Sequence, residues 1–81
     1  MKDRIVDMII QLTGYEELKN EPDVDLIEEG ILDSLSFMEL IIELENEFDI
    51  EIQPTQIPSD TWKSVDGIVG MVNAVIAERA E

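Results

Sequence analysis

From Ser34 to Phe48 the apolar residues recur at helical spacing, and this run limits what the chain can fold into more than any other feature. On a wheel of ~100° per residue, Phe37, Leu40, Ile41, Leu44 and Phe48 gather on one side as a core stripe. Leu35, Met38 and Ile42 gather on another side, interleaved with Glu39, Glu45 and Asn46. A helix in a small bundle requires only one apolar face, so the second set needs a reason. Two are open. The loop before the helix covers it, or it docks other proteins through an apolar, Met-containing centre and an acidic rim.

Two further segments carry the same period. Ile5, Met8, Ile9 and Leu12 stand at i, i+3, i+4 and i+7 in a helix predicted from Lys2 to about Thr13, and Gly14 suits its C-terminal cap. A last helix is predicted to start near Ser64 as N-cap, with Val65, Ile68, Val69, Val72, Val75 and Ile76 as its stripe. Gly67 and Gly70 lie inside it, each costing ~1 kcal/mol relative to Ala. They either permit a close approach or leave the helix soft.

Residues 15–32 show no sustained period and include Pro22 and Gly30. A connection of this length in a small domain is functional or folded onto the body. Leu26, Ile27, Ile31 and Leu32 are expected to pin it to the core as an ordered loop that delivers Ser34. Asp49-Ile50-Glu51-Ile52 alternates as a strand does but has no partner strand, so an extended connector is predicted. Pro54 and Pro58 frame a loop, and Ser59-Asp60-Thr61-Trp62 predicts a single helical turn. The expectation is one all-α domain over residues 1–81, a small bundle of three main helices and one short helix with a long first loop.

Eighty-one residues suffice for one small core, and a hydrophobic content of 44% argues against disorder despite the charge. There is no His and no Cys, which excludes the triads of hydrolases, disulfides and thiolate metal sites. The carboxylates are too many to single out a catalytic pair, and no Gly-rich phosphate loop is present; neither enzyme activity nor a dedicated metal site is expected. The net charge of -15, twenty acids against five cations, repels nucleic acid and anionic lipid and favours partners with Arg/Lys patches. Divalent cations could ease the self-repulsion at Glu28, Glu29 and Asp33, but without EF-hand spacing such binding is incidental. No apolar stretch approaches the ~20 residues of a membrane span and no signal segment opens the chain, so a cytoplasmic monomer is expected.

Gly30-Ile31-Leu32-Asp33-Ser34-Leu35 places an acid-flanked hydroxyl at the mouth of the second helix. No histidine exists to activate it, so Ser34 is read as a substrate that another enzyme modifies. Asp33 or Ser34 can cap the helix, and Ser36-Phe37-Met38-Glu39 also fits a capping box, which leaves the start open by two residues. A plain cap is all that Ser34 needs to be. The helix's positive end and open amides would equally stabilise a phosphate ester there.

On these residues the chain resembles the acyl carrier protein family. Asp33-Ser34-Leu35 carries the match, with Glu29-Gly30 before it and Glu39-Leu40 and Glu45-Asn46-Glu47-Phe48-Asp49-Ile50-Glu51-Ile52 after it. The match covers nearly the whole chain in helix order and loop length. The resemblance implies that Ser34, flanked by Asp33 and Leu35, receives 4'-phosphopantetheine from coenzyme A through a Mg-dependent phosphopantetheinyl transferase. The arm's thiol would then hold an acyl or aminoacyl group as a thioester. Partner enzymes would recognise the second helix, at Leu35, Met38, Glu39, Ile42, Glu45 and Asn46.

Within that family Glu45-Asn46, Phe48-Asp49-Ile50, Pro54-Thr55, Asp60-Thr61-Trp62 and Ile68-Val69 are similar to the D-alanyl carriers of teichoic-acid alanylation in cell-wall biogenesis. That likeness implies an ATP-dependent D-alanine ligase as loading enzyme and a membrane acyltransferase as acceptor. Leu35 departs from it, since D-alanyl carriers often have Met or Phe there and fatty-acid carriers have Leu. Trp62 by itself reads as an apolar anchor for the short helix. A carrier for fatty acyl, polyketide or other aminoacyl groups is the alternative. From a different class comes an unmodified acidic adaptor in which Ser34 only caps a helix.

Overall fold

Ile5, Val6, Met8 and Ile9 bury one side of the first helix, α1 (Lys2–Thr13), in a computed structural model that describes residues 1–79. The helix stops where Gly14 takes a left-handed conformation (φ 76°) and its N–H donates to the Ile10 carbonyl at 2.7 Å. Glycine reaches that conformation without a Cβ penalty, as the sequence predicts. The other two helices are α2 (Ser34–Phe48) and α3 (Val65–Arg79). α1 packs on both. Leu40 and Leu44 of α2 meet Val65, Ile68 and Val72 of α3 in one core with Ile5 and Ile9, all of them inaccessible to solvent.

The expected all-α fold is present, and no strand occurs among the described residues. Three short 3-10 turns join the helices where one short helix is predicted: Glu16–Lys19, Pro54–Gln56 and Ser59–Lys63. The first buries Leu18 completely. One buried residue in one turn has no period, which is why the first of these turns escapes a periodicity argument. Between α2 and the second turn, Ile50 and Ile52 point inward and Asp49 and Glu51 outward. The alternation is that of an extended connector, as predicted.

The long first connection is ordered by its own hydrogen bonds. Asp25 Oδ1 accepts from the N–H groups of Ile27 (3.0 Å) and Glu28 (2.8 Å), an Asx turn. The Leu32 N–H donates to the Leu26 carbonyl at 2.9 Å, and Leu26 donates to the Lys63 carbonyl at 2.6 Å. Leu26, Ile31 and Leu32 are buried as expected, but Ile27 is not: it is 44% exposed. The turn at Asp25 folds the chain so that its consecutive residues Leu26 and Ile27 differ in burial, and only Leu26 reaches the core.

The two glycines of α3 differ. A Cβ on Gly67 would stand 2.5 Å from the Thr61 carbonyl oxygen, so this glycine is where the helix meets the preceding turn closely. Nothing lies within 4 Å of a Cβ on Gly70. Ser64 is the N-cap as predicted, its Oγ accepting from the Gly67 N–H at 3.0 Å.

Candidate functional site

The start of α2 is fixed by a reciprocal pair. Asp33 is the N-cap, with extended backbone, and its Oδ1 accepts from the Ser36 N–H at 2.8 Å. In return the Asp33 N–H donates to Ser36 Oγ at 2.9 Å, and that hydroxyl donates to Asp33 Oδ1, also at 2.9 Å. This is a capping box built from Asp33 and Ser36. Of the starts left open by the sequence, the box beginning at Ser36 is therefore not the one formed. Ser36 sits three residues inside the helix and is buried.

Ser34 is thereby released from capping. It is the first residue of α2, exposed, with Leu35 beside it also exposed. Its acidic neighbour is a poor base. The Ser36 N–H and hydroxyl bonds hold the Asp33 carboxyl below the usual carboxylate range, so Asp33 serves the helix rather than the Ser34 proton.

Ser34 opens onto an apolar groove. Ile27 and Leu32 of the first connection, Phe37 of α2, and Ser59, Trp62 and Lys63 of the third 3-10 turn line it together with Asp33 and Ser34. Trp62 is 4% exposed and meets Phe37 edge to face, ring centres 4.9 Å apart at 89°. The Leu26–Lys63 hydrogen bond ties the loop wall to the turn. Sequence reasoning gives Trp62 and Phe37 core roles, places Ser59 only in the short helical turn, and assigns neither Ser59 nor Lys63 to the site. These residues lie 25 or more positions from Ser34, and no local pattern announces that they meet it.

The second apolar face of α2 is open. Leu35, Met38 and Ile42 are 69%, 63% and 55% exposed, and Glu39 and Asn46 are exposed beside them. The long loop therefore does not cover this face. Glu45 stands apart from the other residues named for it: it is half-buried, and its Oε2 accepts from the Ile52 N–H at 2.9 Å, holding the connector to the helix. Further round, Arg4 Nη2 donates to Glu47 Oε1 at 2.8 Å. Lys2, Lys19 and Lys63 pair with Asp66, Asp7 and Asp60. Among the described residues no cluster of acids is arranged to hold a metal ion, and no helix is long and apolar enough to cross a membrane.

A family model described as the phosphopantetheine attachment site matches residues 3–72. The chain belongs to the phosphopantetheine-attachment family. It is 40% identical over 72 residues to the D-alanyl carrier protein of Lactococcus lactis subsp. cremoris (strain MG1363), covering 89% of this chain and 91% of that one. It is 32% identical over 72 residues to the D-alanyl carrier protein of Bacillus subtilis (strain 168), covering 89% and 92%. For that of Latilactobacillus sakei subsp. sakei (strain 23K) the figures are 29% over 69 residues, 85% and 88%.

The protein is accordingly a carrier and not an enzyme, and its prosthetic group is a covalently attached 4'-phosphopantetheine. A carrier of this kind works with a transferase that installs the group and with enzymes that handle the acyl load. The groove fits such a group. An exposed hydroxyl opens onto it at a helix N-terminus suited to a phosphodiester, Lys63 is a cation on its rim, and its apolar floor matches a methylated chain.

Proposed function

We propose that Ser34 is the residue that bears the phosphopantetheine arm, and that the carrier holds D-alanine for teichoic-acid alanylation. The observation that carries the attachment site is the division of labour at the start of α2: Asp33 and Ser36 satisfy the helix, and the exposed Ser34 hydroxyl faces the groove. In the transfer, Ser34 Oγ forms a bond to the phosphorus of coenzyme A nearest the pantetheine. The pyrophosphate P–O bond breaks, 3',5'-ADP leaves, and the serine proton passes to a base on the transferase. The arm's terminal thiol supplies the thioester chemistry. This chain's own residues contribute the positioned hydroxyl, the groove and the partner-facing surface.

The names of the relatives support D-alanine as cargo, and so does the likeness of residues 45–69 to such carriers. The partners that follow are a phosphopantetheinyl transferase, an ATP-dependent D-alanine ligase and a membrane acyltransferase that accepts the D-alanyl group. All three are proposed to read Leu35, Met38, Glu39, Ile42 and Asn46, with Glu45 at the edge. Exposed apolar centres with an acidic rim suit brief docking by basic surfaces. The chain is proposed to act as one cytoplasmic, monomeric domain.

Intact mass after incubation with coenzyme A, Mg2+ and a broad-specificity phosphopantetheinyl transferase tests the site. Wild type gains one phosphopantetheine and Ser34→Ala gains none; equal gain on both overturns Ser34. Adding ATP, D-alanine and a competent D-alanine ligase then tests the cargo. A D-alanyl thioester is expected, and failure on the modified protein, with loading by an acyl synthetase instead, replaces D-alanine with another acyl group.

A further inference from the structure

We infer that the Phe37–Trp62 pair restricts this carrier to cargo held outside the fold, closing the route from Ser34 into the helix core. This rests on the attachment of the arm at Ser34. The arm leaving that hydroxyl meets the groove lined by Ile27, Leu32, Phe37 and Trp62, with Lys63, paired to Asp60, beside them. To enter the core from this groove a long acyl chain would have to displace its floor, because Trp62 belongs to the core and Phe37 packs against it. Trp62 is 4% exposed, in the same core as Leu40, Val65 and Ile68.

The backbone on either side of Trp62 is held in place. The Thr61 carbonyl sits so close to α3 that a Cβ on Gly67 would approach it to 2.5 Å, and the Lys63 carbonyl accepts from Leu26 at 2.6 Å. Phe37 braces the indole edge to face at 4.9 Å. Admitting a chain would separate the two rings, expose the largest side chain of the core and break into close-packed surroundings. A short polar cargo has no such need. An ammonium-bearing aminoacyl group left outside faces a surface of net charge -15, which attracts it, whereas an alkyl chain that outruns the groove remains in water. The aromatic pair is thus a specificity-determining feature for small, polar loads.

The test loads the protein with acetyl-, octanoyl- and hexadecanoyl-phosphopantetheine from the corresponding coenzyme A thioesters, with intact mass confirming one arm per chain and Ser34→Ala as control. Thermal midpoint and acrylamide quenching of Trp62, the sole tryptophan, are then read across the series. Both are expected to stay level from acetyl to hexadecanoyl. In Trp62→Ile, a variant that keeps an aliphatic residue in the core, the hexadecanoyl form is expected to melt about 5 °C or more above the acetyl form. A wild-type midpoint that climbs with chain length overturns the inference alone, as does a folded Trp62→Ile that stays level. A wild type that gains no mass overturns the attachment site and this inference with it.

Discussion

Asp33 and Ser36 hold each other across the first turn of α2, the N–H of each donating to the side chain of the other at 2.9 and 2.8 Å. The pair satisfies two amides at the helix start and leaves the intervening Ser34 exposed and uncommitted. Site and stability are therefore carried by different residues, although all three lie within four positions.

A first prediction concerns acid. The Asp33 carboxyl is held below its ordinary value by the Ser36 bonds, so its contribution is complete above the unfolded carboxylate range and is lost as pH falls through the folded value. Falling pH also relieves the self-repulsion of the other acids, so the wild-type curve mixes both. The difference between wild type and Asp33→Asn isolates the cap: wild type is more stable at neutral pH and the gap narrows in acid. Thermal melts between pH 7 and pH ~3 check this, and a gap that stays constant refutes it.

The two glycines of α3 should respond with opposite signs. Helix propensity favours Ala over Gly by ~1 kcal/mol. At Gly70, where a Cβ meets nothing within 4 Å, Gly70→Ala is expected to gain up to about that amount. At Gly67 the Thr61 carbonyl blocks the methyl group, so Gly67→Ala is expected to destabilise by about 1–3 kcal/mol. Urea unfolding of both variants decides it.

Core and docking faces of α2 should separate cleanly. Leu44 is fully buried, and Leu44→Ala is expected to cost about 2–5 kcal/mol. Ile42 is 55% exposed, and Ile42→Ala is expected to change stability by no more than about 0.5 kcal/mol. If the face docks partners, Ile42→Ala instead raises the KM for the transferase about tenfold, the loss of roughly 1.4 kcal/mol of binding. Unchanged transferase kinetics would remove Ile42 from the docking face.

Salt should act in two directions at once. Raising ionic strength from 0.1 to 1 M shortens the screening length from ~10 to ~3 Å. Self-repulsion at a net charge of -15 then weakens, and the melting temperature is expected to rise. Encounter with basic partners loses its steering, so transferase kcat/KM is expected to fall over the same range. A fall in both would point to stabilising ion pairs such as Arg4–Glu47 outweighing the repulsion.

Much of the fold was legible in the chain because helices are written in periods. The stripes from Ile5, Phe37 and Val65 predicted α1, α2 and α3, Gly14 marked a left-handed cap, and Ser64 marked the last N-cap. The exposed set of Leu35, Met38 and Ile42 followed from the same wheel, though whether the loop covers it did not. Ile27 was misplaced because a side-chain turn at Asp25, not hydrophobicity, decides which of two adjacent residues faces inward.

By itself, then, the sequence determined the helices, the acidic surface, the lack of His and Cys, and the place of Ser34 at the head of α2, since each is local in character. The Asp33–Ser36 pairing that frees Ser34 is local and is one of the starts the sequence leaves open; the tertiary structure alone decided that Ile27, Phe37, Trp62 and Lys63 gather into a groove beside Ser34. Those contacts join residues from three separate elements. Their geometry depends on a loop hydrogen bond from Leu26 to Lys63 and on the close approach at Gly67, and no periodicity encodes a distance between residues 30 positions apart.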